Sequence, residues 1–299
     1  MKKNIIYLLL IIFSTFLNAN EKVVLQLKWF HQFQFAGYYA AKEKGFYDEV
    51  GLDVEIKQRD LKYNNIDEVI NGNAQYGVAD SILILYRLKQ QPVVIVSPIF
   101  QHSPSVFISL KKKNISSIYE LNNKDILFYP NNTDGFSLLA MIKKFNLDVN
   151  LLVRERYKDD YMRLIKNEVD VIPAYIANEP FLFKEKGYDV NIINPTNYGF
   201  DMYGDMLFTN EDEAKNNPDR VEKFKEATLK GWKYALENKE EIIQLINEKY
   251  TQEKTIEHLR YEANAIDSLI NKNLTPLGYL DQGRIRYISE MYKYYGLTE

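Results

Sequence analysis

Twice along this chain, short apolar runs give way to helix-length amphipathic stretches and return, and this rhythm restricts the fold more than any single motif. In the first pass "VVLQLKW" alternates as a strand, "FAGYYAAKEKGF" has helical spacing closed by Gly45, and "LDVEIKQ" is a second strand. "NIDEVINGN" then reads as a helix with Asn65 at its N-cap, "AQYGVAD" as a strand, "SILILYRLKQ" as a helix and "PVVIVSPIF" as a strand. Strands alternating with helices of about ten residues imply βαβ units and a mainly parallel sheet.

A second pass starts near Val106. "SVFISL" and "DILFY" read as strands, "DGFSLLAMIKKFN" as a helix, "NLLVRERY" as a strand, "KDDYMRLIKNE" as a helix, and "VDVIPAYI" and "YDVNIIN" as strands. "VINGNAQYGVAD" and "LIKNEVDVIPAY" share a plan of helix, polar turn and strand, which suggests repeated architecture without long identity. From Glu211 the pattern is helical to the end. Residues 219–237 carry Val221, Phe224, Ala227, Leu229, Trp232 and Ala235 near one face, with Pro218 suited to a first turn. No Pro/Ser-rich linker intervenes. The expectation is an α/β chain of two lobes hinged by strand-like crossings at 101–106 and 195–208, with a helical C-terminal segment. The first lobe is assigned residues 20–103 plus about 206–299, and the second 104–205.

Residues 1–19 are set apart as a leader. Lys2 and Lys3 precede an apolar run from Ile5 to Phe13, and Leu17-Asn18-Ala19 offers a small-residue exit, which together read as a secretory signal peptide cleaved after Ala19. A membrane anchor is the rival, but the run is shorter than the about 20 apolar residues needed to cross a bilayer. The sequence has no cysteine, so a lipid-modified cysteine, disulfides and thiolate chemistry are excluded. A soluble, periplasmic protein is expected. A net charge of −3 supplies no electrostatic footprint for nucleic acid, and Lys111-Lys112-Lys113 reads as a solvated turn.

The residues 27–47, "LKWFHQFQFAGYYAAKEKGFY", pose the functional question. Trp29, Phe30, His31, Phe33, Phe35, Tyr38 and Tyr39 crowd a strand-to-helix corner, either as core filler or as an aromatic wall for a flat ligand. The 23 tyrosines of the 299 residues suit a wet interface or a cleft, because each couples a large ring to a hydroxyl. Open α/β sheets bind ligands at the carboxyl ends of their strands. Those ends hold Trp29 and His31, Asp80 and Ser81, Gln101 and His102, the run Tyr129 to Gly135 with Asn132, and Tyr175 with Glu179. The return crossing adds Asp201, Tyr203 and Asp205.

Each has a duller reading. Trp29 also serves as core, Asp80 as a helix cap, Glu179 as a solvated first-turn acid, and His31 and His102 as structural imidazoles. The loop Asn131 to Gly135 reads first as a turn and second as an anion site before a helix. No HExxH, G-x-S-x-G, P-loop or G-x-G-x-x-G occurs, so metalloprotease, serine-hydrolase, NTPase and dinucleotide readings lack support, and no metal is expected. Taken together, aromatic faces and two or three acids suit a planar, nitrogen-rich, neutral or cationic heterocycle such as a pyrimidine. A sulfonate would want an Arg, and these loops contain none.

In order along the chain, "LKWFHQFQFAGYYAAKEKGFYDEVGLDV", "GNAQYGVADS", "PIFQHSP", "AYIANEPF", "YGFDMYGDMLFTN" and "KGWKYALENKEEII" resemble the thiamine-pyrimidine/sulfonate substrate-binding family of ABC importers. The resemblance implies a type II periplasmic-binding-protein fold whose lobes close on a thiamine-precursor pyrimidine, of hydroxymethyl or formylamino type, and present it to an inner-membrane ABC permease. It implies a monomer without cofactor. Trp29, Tyr175 and Tyr203 would stack on the ring, and Asp80, Glu179 and Asp205 would hydrogen-bond it. The same superfamily includes a pyridoxal-phosphate-dependent pyrimidine synthase, which needs a Schiff-base lysine and a donor histidine after the third strand. "GVADSILIL" has neither, the synthase's cysteine motif is missing, and export separates the chain from cytosolic cofactor. Similar domains also serve as ligand sensors; this chain shows no output domain up to Glu299 and would need a separate signalling partner.

Overall fold

The structure is a computed structural model that describes residues 20–129, 135–154, 159–271 and 273–298. The leader assigned to 1–19 lies outside the described residues. The strands are β1 (Glu21–Gln26), β2 (Leu52–Lys57), β3 (Tyr76–Ala79), β4 (Val93–Pro98), β5 (Ser105–Leu110), β6 (Asp125–Phe128), β7 (Asn150–Val153), β8 (Ile172–Tyr175), β9 (Val190–Ile193) and β10 (Met206–Asn210). Helices α1 (Ala36–Glu43), α2 (Asn65–Ile70) and α3 (Ile82–Leu88) follow β1, β2 and β3, while α4 (Gly135–Lys144), α5 (Tyr161–Ile165) and α6 (Glu179–Glu185) follow β6, β7 and β8. The chain closes with α7 (Glu211–Asn216), α8 (Pro218–Glu237), α9 (Lys239–Lys249), α10 (Ile256–Ile270) and α11 (Gln282–Tyr294).

The first lobe is a sheet in the order β2-β1-β3-β10-β4. β1 runs parallel to β2 along its whole length, from Glu21 opposite Leu52 to Gln26 opposite Lys57, and parallel to β3, whereas β10 lies antiparallel between β3 and β4. In the second lobe β5 is antiparallel to both β8 and β9, and β6 is parallel to β7. A parallel bridge of Ile126 to Val171, with Leu127 N–H donating to the Val171 carbonyl at 3.0 Å, joins β6 to the β8 side. Read across, the order is β7-β6-β8-β5-β9, the plan of the first sheet repeated. The expectation of mainly parallel sheets therefore holds for β1 to β3 and for β6 and β7, and needs correction at β5 and β10. Those two strands arrive from the other lobe through 99–104 and 194–205, which contain no α-helix to carry a parallel crossover.

The two crossings are bonded to each other. Ile99 N–H donates to the Asp205 carbonyl at 2.8 Å and Gly204 N–H to the Phe100 carbonyl at 3.1 Å, which makes a two-strand hinge. Near the hinge, α11 buries Ile288, Met291 and Tyr292 in a cluster with Ile82 and Leu83 of α3. It also reaches the second lobe, where Tyr287 hydroxyl donates to the Gly199 carbonyl at 3.2 Å.

The first lobe's core depends on a close crossing of α1 and α8. A Cβ on Gly37 would stand 2.1 Å from the Trp232 ring, and one on Gly231 would stand 2.2 Å from the Gly37 carbonyl oxygen, so the backbones meet where neither has a side chain. Phe33, Phe35, Tyr38 and Tyr39 are fully buried in this core, which resolves most of the aromatic corner in favour of packing. One boundary moves by a residue: Asn64 caps α2, its Oδ1 accepting from Ile66 N–H at 2.8 Å, while the expected cap Asn65 donates to the Val78 carbonyl and ties α2 to β3.

Candidate functional site

Between the lobes lies a hollow lined by Lys28, Trp29, Gln32 and Gln34 from the first and Tyr175, Asn178 and Glu179 from the second. It spans ≈ 290 Å³ including space open to solvent, near the lower end of the range for small-molecule sites. The loop after β1 supplies the first group. Leu27 N–H donates to the Lys57 carbonyl and Arg59 N–H to the Trp29 carbonyl, which fixes the loop against the chain leaving β2. The turn from β8 into α6 supplies the second.

Lys28 is the centre of the floor. Its side chain is 4% exposed, and Nζ lies 3.1 Å from Asp80 Oδ2, 3.5 Å from Asp205 Oδ1 and 2.5 Å from the Tyr175 hydroxyl. Tyr175 in turn donates to Asp205 Oδ1 at 3.4 Å. Asp80 sits at the end of β3 and does two jobs: Oδ1 accepts from Ile82 N–H at 2.9 Å at the start of α3, while Oδ2 holds the lysine. Gln34 Nε2 donates to Asp205 Oδ2 at 2.7 Å, and Gln32 Nε2 donates to Gln34 Oε1. Glu179, half-buried in the first turn of α6, accepts from Tyr175 N–H at 2.7 Å and from Asn178 Nδ2 at 3.1 Å. Lys28 thus faces two carboxylates, and Glu179 adds a third to the wall, a local excess of negative charge that favours donors and cations. Trp29 is half-buried, edge-on to Phe30 at 5.0 Å, and gives the hollow an indole surface.

α10 closes one flank. Lys254 Nζ donates to Asn178 Oδ1 at 2.6 Å and pairs with Glu262, whose Oε2 accepts from Phe33 N–H at 2.8 Å. Tyr261 hydroxyl donates to the Ile176 carbonyl at 2.9 Å, and His258 stacks on Phe181 with centroids 4.6 Å apart. Burial and the Lys254 charge push the His258 pKa down to about 3, and burial raises that of Glu262. These contacts join the lobes beside the hollow.

A family model described as "NMT1/THI5 like" matches residues 32–242. The chain belongs to that family. It is 26% identical over 235 residues to the riboflavin-binding protein RibY of Chloroflexus aurantiacus, covering 75% of this chain and 65% of the relative. It is 24% identical over 232 residues to the formylaminopyrimidine-binding protein of Halalkalibacterium halodurans, covering 76% of this chain and 70% of the relative. The chain thus spans about two thirds of the length of these curated relatives. The alkanesulfonate-binding protein SsuA of Xanthomonas axonopodis pv. citri, bound to MOPS, superposes with a TM-score of 0.71 at 11% identity over 94% of this chain and 96% of that one. The fold is that of the periplasmic binding proteins, two α/β lobes on a two-strand hinge with a helical C-terminal segment.

On this NMT1/THI5-like frame, the residues singled out in the sequence divide in two. Trp29, Tyr175 and Glu179 line the hollow, with Asp80 and Asp205 directly beneath through Lys28. Gln101, His102, Asp201 and Tyr203 belong to the hinge. Gln101 Nε2 donates to the Tyr279 carbonyl at 3.0 Å, and His102 Nδ1 lies 2.8 Å from Asp201 Oδ1, which Arg284 also binds at 3.0 Å. Tyr203, given a stacking role, is fully buried with the Arg284 guanidinium 4.2 Å from its ring centre and its hydroxyl accepting from Asp281 N–H. Its face is therefore occupied by the protein itself. His31 is held by Tyr39, with Nδ1 2.8 Å from the hydroxyl, and burial lowers its pKa. Asn132 lies outside the described residues. Lys28, Gln32 and Gln34 were missed, and Asn178, which lies in the strand-end run 175–180, was given no role. The signal was present in "LKW" and "HQFQF": polar residues set among large apolar ones where a strand meets a helix.

Proposed function

We propose that this protein is an extracytoplasmic substrate-binding protein of an ABC importer that captures a thiamine-precursor pyrimidine, of hydroxymethyl or formylamino type, and delivers it to an inner-membrane permease. The observation that carries this reading is the hollow itself: an indole face from one lobe, a tyrosine and a carboxylate from the other, and a charged floor linking both. A ligand that touches both lobes favours their closed arrangement, and that arrangement is what a permease can sense. The formylaminopyrimidine-binding relative supports the pyrimidine. The excess of carboxylates opposes a sulfonate, whose charge would meet Asp80, Asp205 and Glu179 with Lys28 already committed to two of them. The more similar riboflavin-binding relative favours a second reading, a flavin-like tricycle, which the modest size of the hollow fits less well.

The protein acts by binding and not by catalysis in this reading. A synthase would need a neutral lysine nucleophile, and Lys28 is an ammonium directed at two aspartates and a tyrosine. The functional unit is a mature, monomeric periplasmic chain with lobes at 20–103 plus 206–299 and at 104–205, made by removal of 1–19. A thermal-shift screen of that chain against pyrimidines, flavins, taurine, alkanesulfonates and pyridoxal phosphate tests it. A rise with the aminopyrimidines alone is expected, since a ligand of the folded state raises apparent stability. A rise with sulfonates alone, or a coloured Schiff base with pyridoxal phosphate, would overturn it.

A further inference from the structure

Among the described residues that line the hollow, Gln32 carries a buried polar atom without a partner. Gln32 is 3% exposed and Gln34 4%, both line the cavity, and Gln32 Oε1 is sealed from solvent and accepts no hydrogen bond. A terminal amide can usually turn over and offer either end, so its orientation alone means little. Here the direction is fixed from the far end of a chain. Asp205, paired with Lys28, has only acceptors to offer at Oδ2, so Gln34 must present Nε2 to it. That leaves Gln34 Oε1 as an acceptor, which obliges Gln32 to donate its own Nε2. Gln32 Oε1 is what remains, and a buried acceptor left unmatched is penalised.

We infer that the Asp205–Gln34–Gln32 relay makes the hollow specific for a heterocycle that, entering while the lobes are apart and the Gln32 side chain is uncovered, presents an N–H donor edge to Gln32 Oε1. The inference rests on the heterocycle-binding reading above and deepens it. A ring bearing an exocyclic amine or a ring N–H completes the relay, and an isostere with a methyl or a lone pair there leaves Oε1 unpaired. Asp205 therefore sets ligand choice from beneath the site as a positioning residue, reading a hydrogen-bond polarity through two amides.

Titration calorimetry on the full mature chain tests this with ligands that differ by one donor. The pairs are 4-amino-2-methylpyrimidine with 2,4-dimethylpyrimidine, and lumiflavin with its N3-methyl derivative; whichever pair binds identifies the ring class. The wild type should favour the donor-bearing member by about tenfold or more, the worth of one buried hydrogen bond. Gln32→Met should bring the two members to within about threefold. Gln34→Met leaves Gln32 in place but frees its amide to turn over, so it should keep the donor-bearing ligand and gain an analogue with an acceptor at the same place (4-methoxy-2-methylpyrimidine for the pyrimidine pair), which the wild type should bind about tenfold or more weaker than the amine and the variant to within about threefold; it decides the matter alone if Gln32→Met fails to fold. Equal binding of both members by the wild type, a donor preference that survives in Gln32→Met, or rejection of the acceptor analogue that survives in Gln34→Met would overturn the relay and leave the heterocycle reading standing. Binding of no heterocycle by the folded wild type would remove that reading and the relay with it.

Discussion

Lys28 shows how much one side chain contributes to both stability and function. Removing it strands Asp80 and Asp205 as buried carboxylates without their counterion, and breaking such a group from one side costs about 3–5 kcal/mol. Lys28→Met should lower stability by that amount in urea unfolding at neutral pH. Trp29→Ala, at a half-buried ring on the cavity wall, should leave the fold intact and weaken heterocycle binding by about 1–3 kcal/mol, as base-on-aromatic stacking does. His258 contributes a pH dependence. Above its ordinary value of 6.5 the imidazole is neutral in folded and unfolded chains alike, so its titration is silent there. Below 6.5 the unfolded chain takes up a proton that the folded one refuses until about pH 3, so stability falls as the pH drops through that window. Urea midpoints from pH 7 to 4 should decline less steeply in His258→Gln than in the wild type, the neighbouring Glu262 and Lys254 being common to both. At this scale the sequence was half legible. Asp80 announced itself at a strand end: Oδ1 has the capping role read for it, accepting from Ile82 N–H, while Oδ2 holds Lys28, a role neither reading gave it. Lys28 did not stand out, because a lysine at a strand end ordinarily marks solvent, and it is buried where the ends of β1, β3 and β10 meet Tyr175 of β8.

Elements were more legible than residues, because period and punctuation are local. The alternation of β1 and the helical spacing of α1, ended by Gly45 at a positive φ of 74°, follow from sterics and burial within a few residues. What could not be read was which elements touch. Gly37 in "FAGYYAA" looks like an ordinary small residue in a helix, and its role appears only where α8 brings Gly231 and Trp232 against it. Gly37→Ala should therefore destabilise by about 3 kcal/mol, the upper end for overpacking against a rigid ring, measured by urea unfolding. Tyr203 and Asp201 were misplaced for the same reason. They lie at the end of a crossing, and whether a crossing end faces the cavity or the hinge depends on α11, whose Arg284 takes both.

For the whole molecule, α10 and the residue Lys254 just before its cap join the β8–α6 turn. Lys254 to Asn178 and Tyr261 to Ile176 tie the lobes together on one flank of the hollow. Lys254→Ala should shift the ligand-free protein toward the open form, seen as a larger radius of gyration in small-angle scattering, and should weaken ligand binding in proportion to the closed population it loses. An unchanged scattering profile would show that the hinge alone holds the lobes.

The exchange of strands between the sheets also bears on synthesis. β5 to β9 come from one unbroken stretch, 105–193, so the second sheet has all its strands as soon as that stretch is made. The first sheet lacks β10, its antiparallel strand between β3 and β4, until residue 210 has left the ribosome. The half made first is thus the half finished last, and its apolar edges at β3 and β4 wait uncovered in the meantime, which leaves a long interval in which a chaperone can hold the chain unfolded.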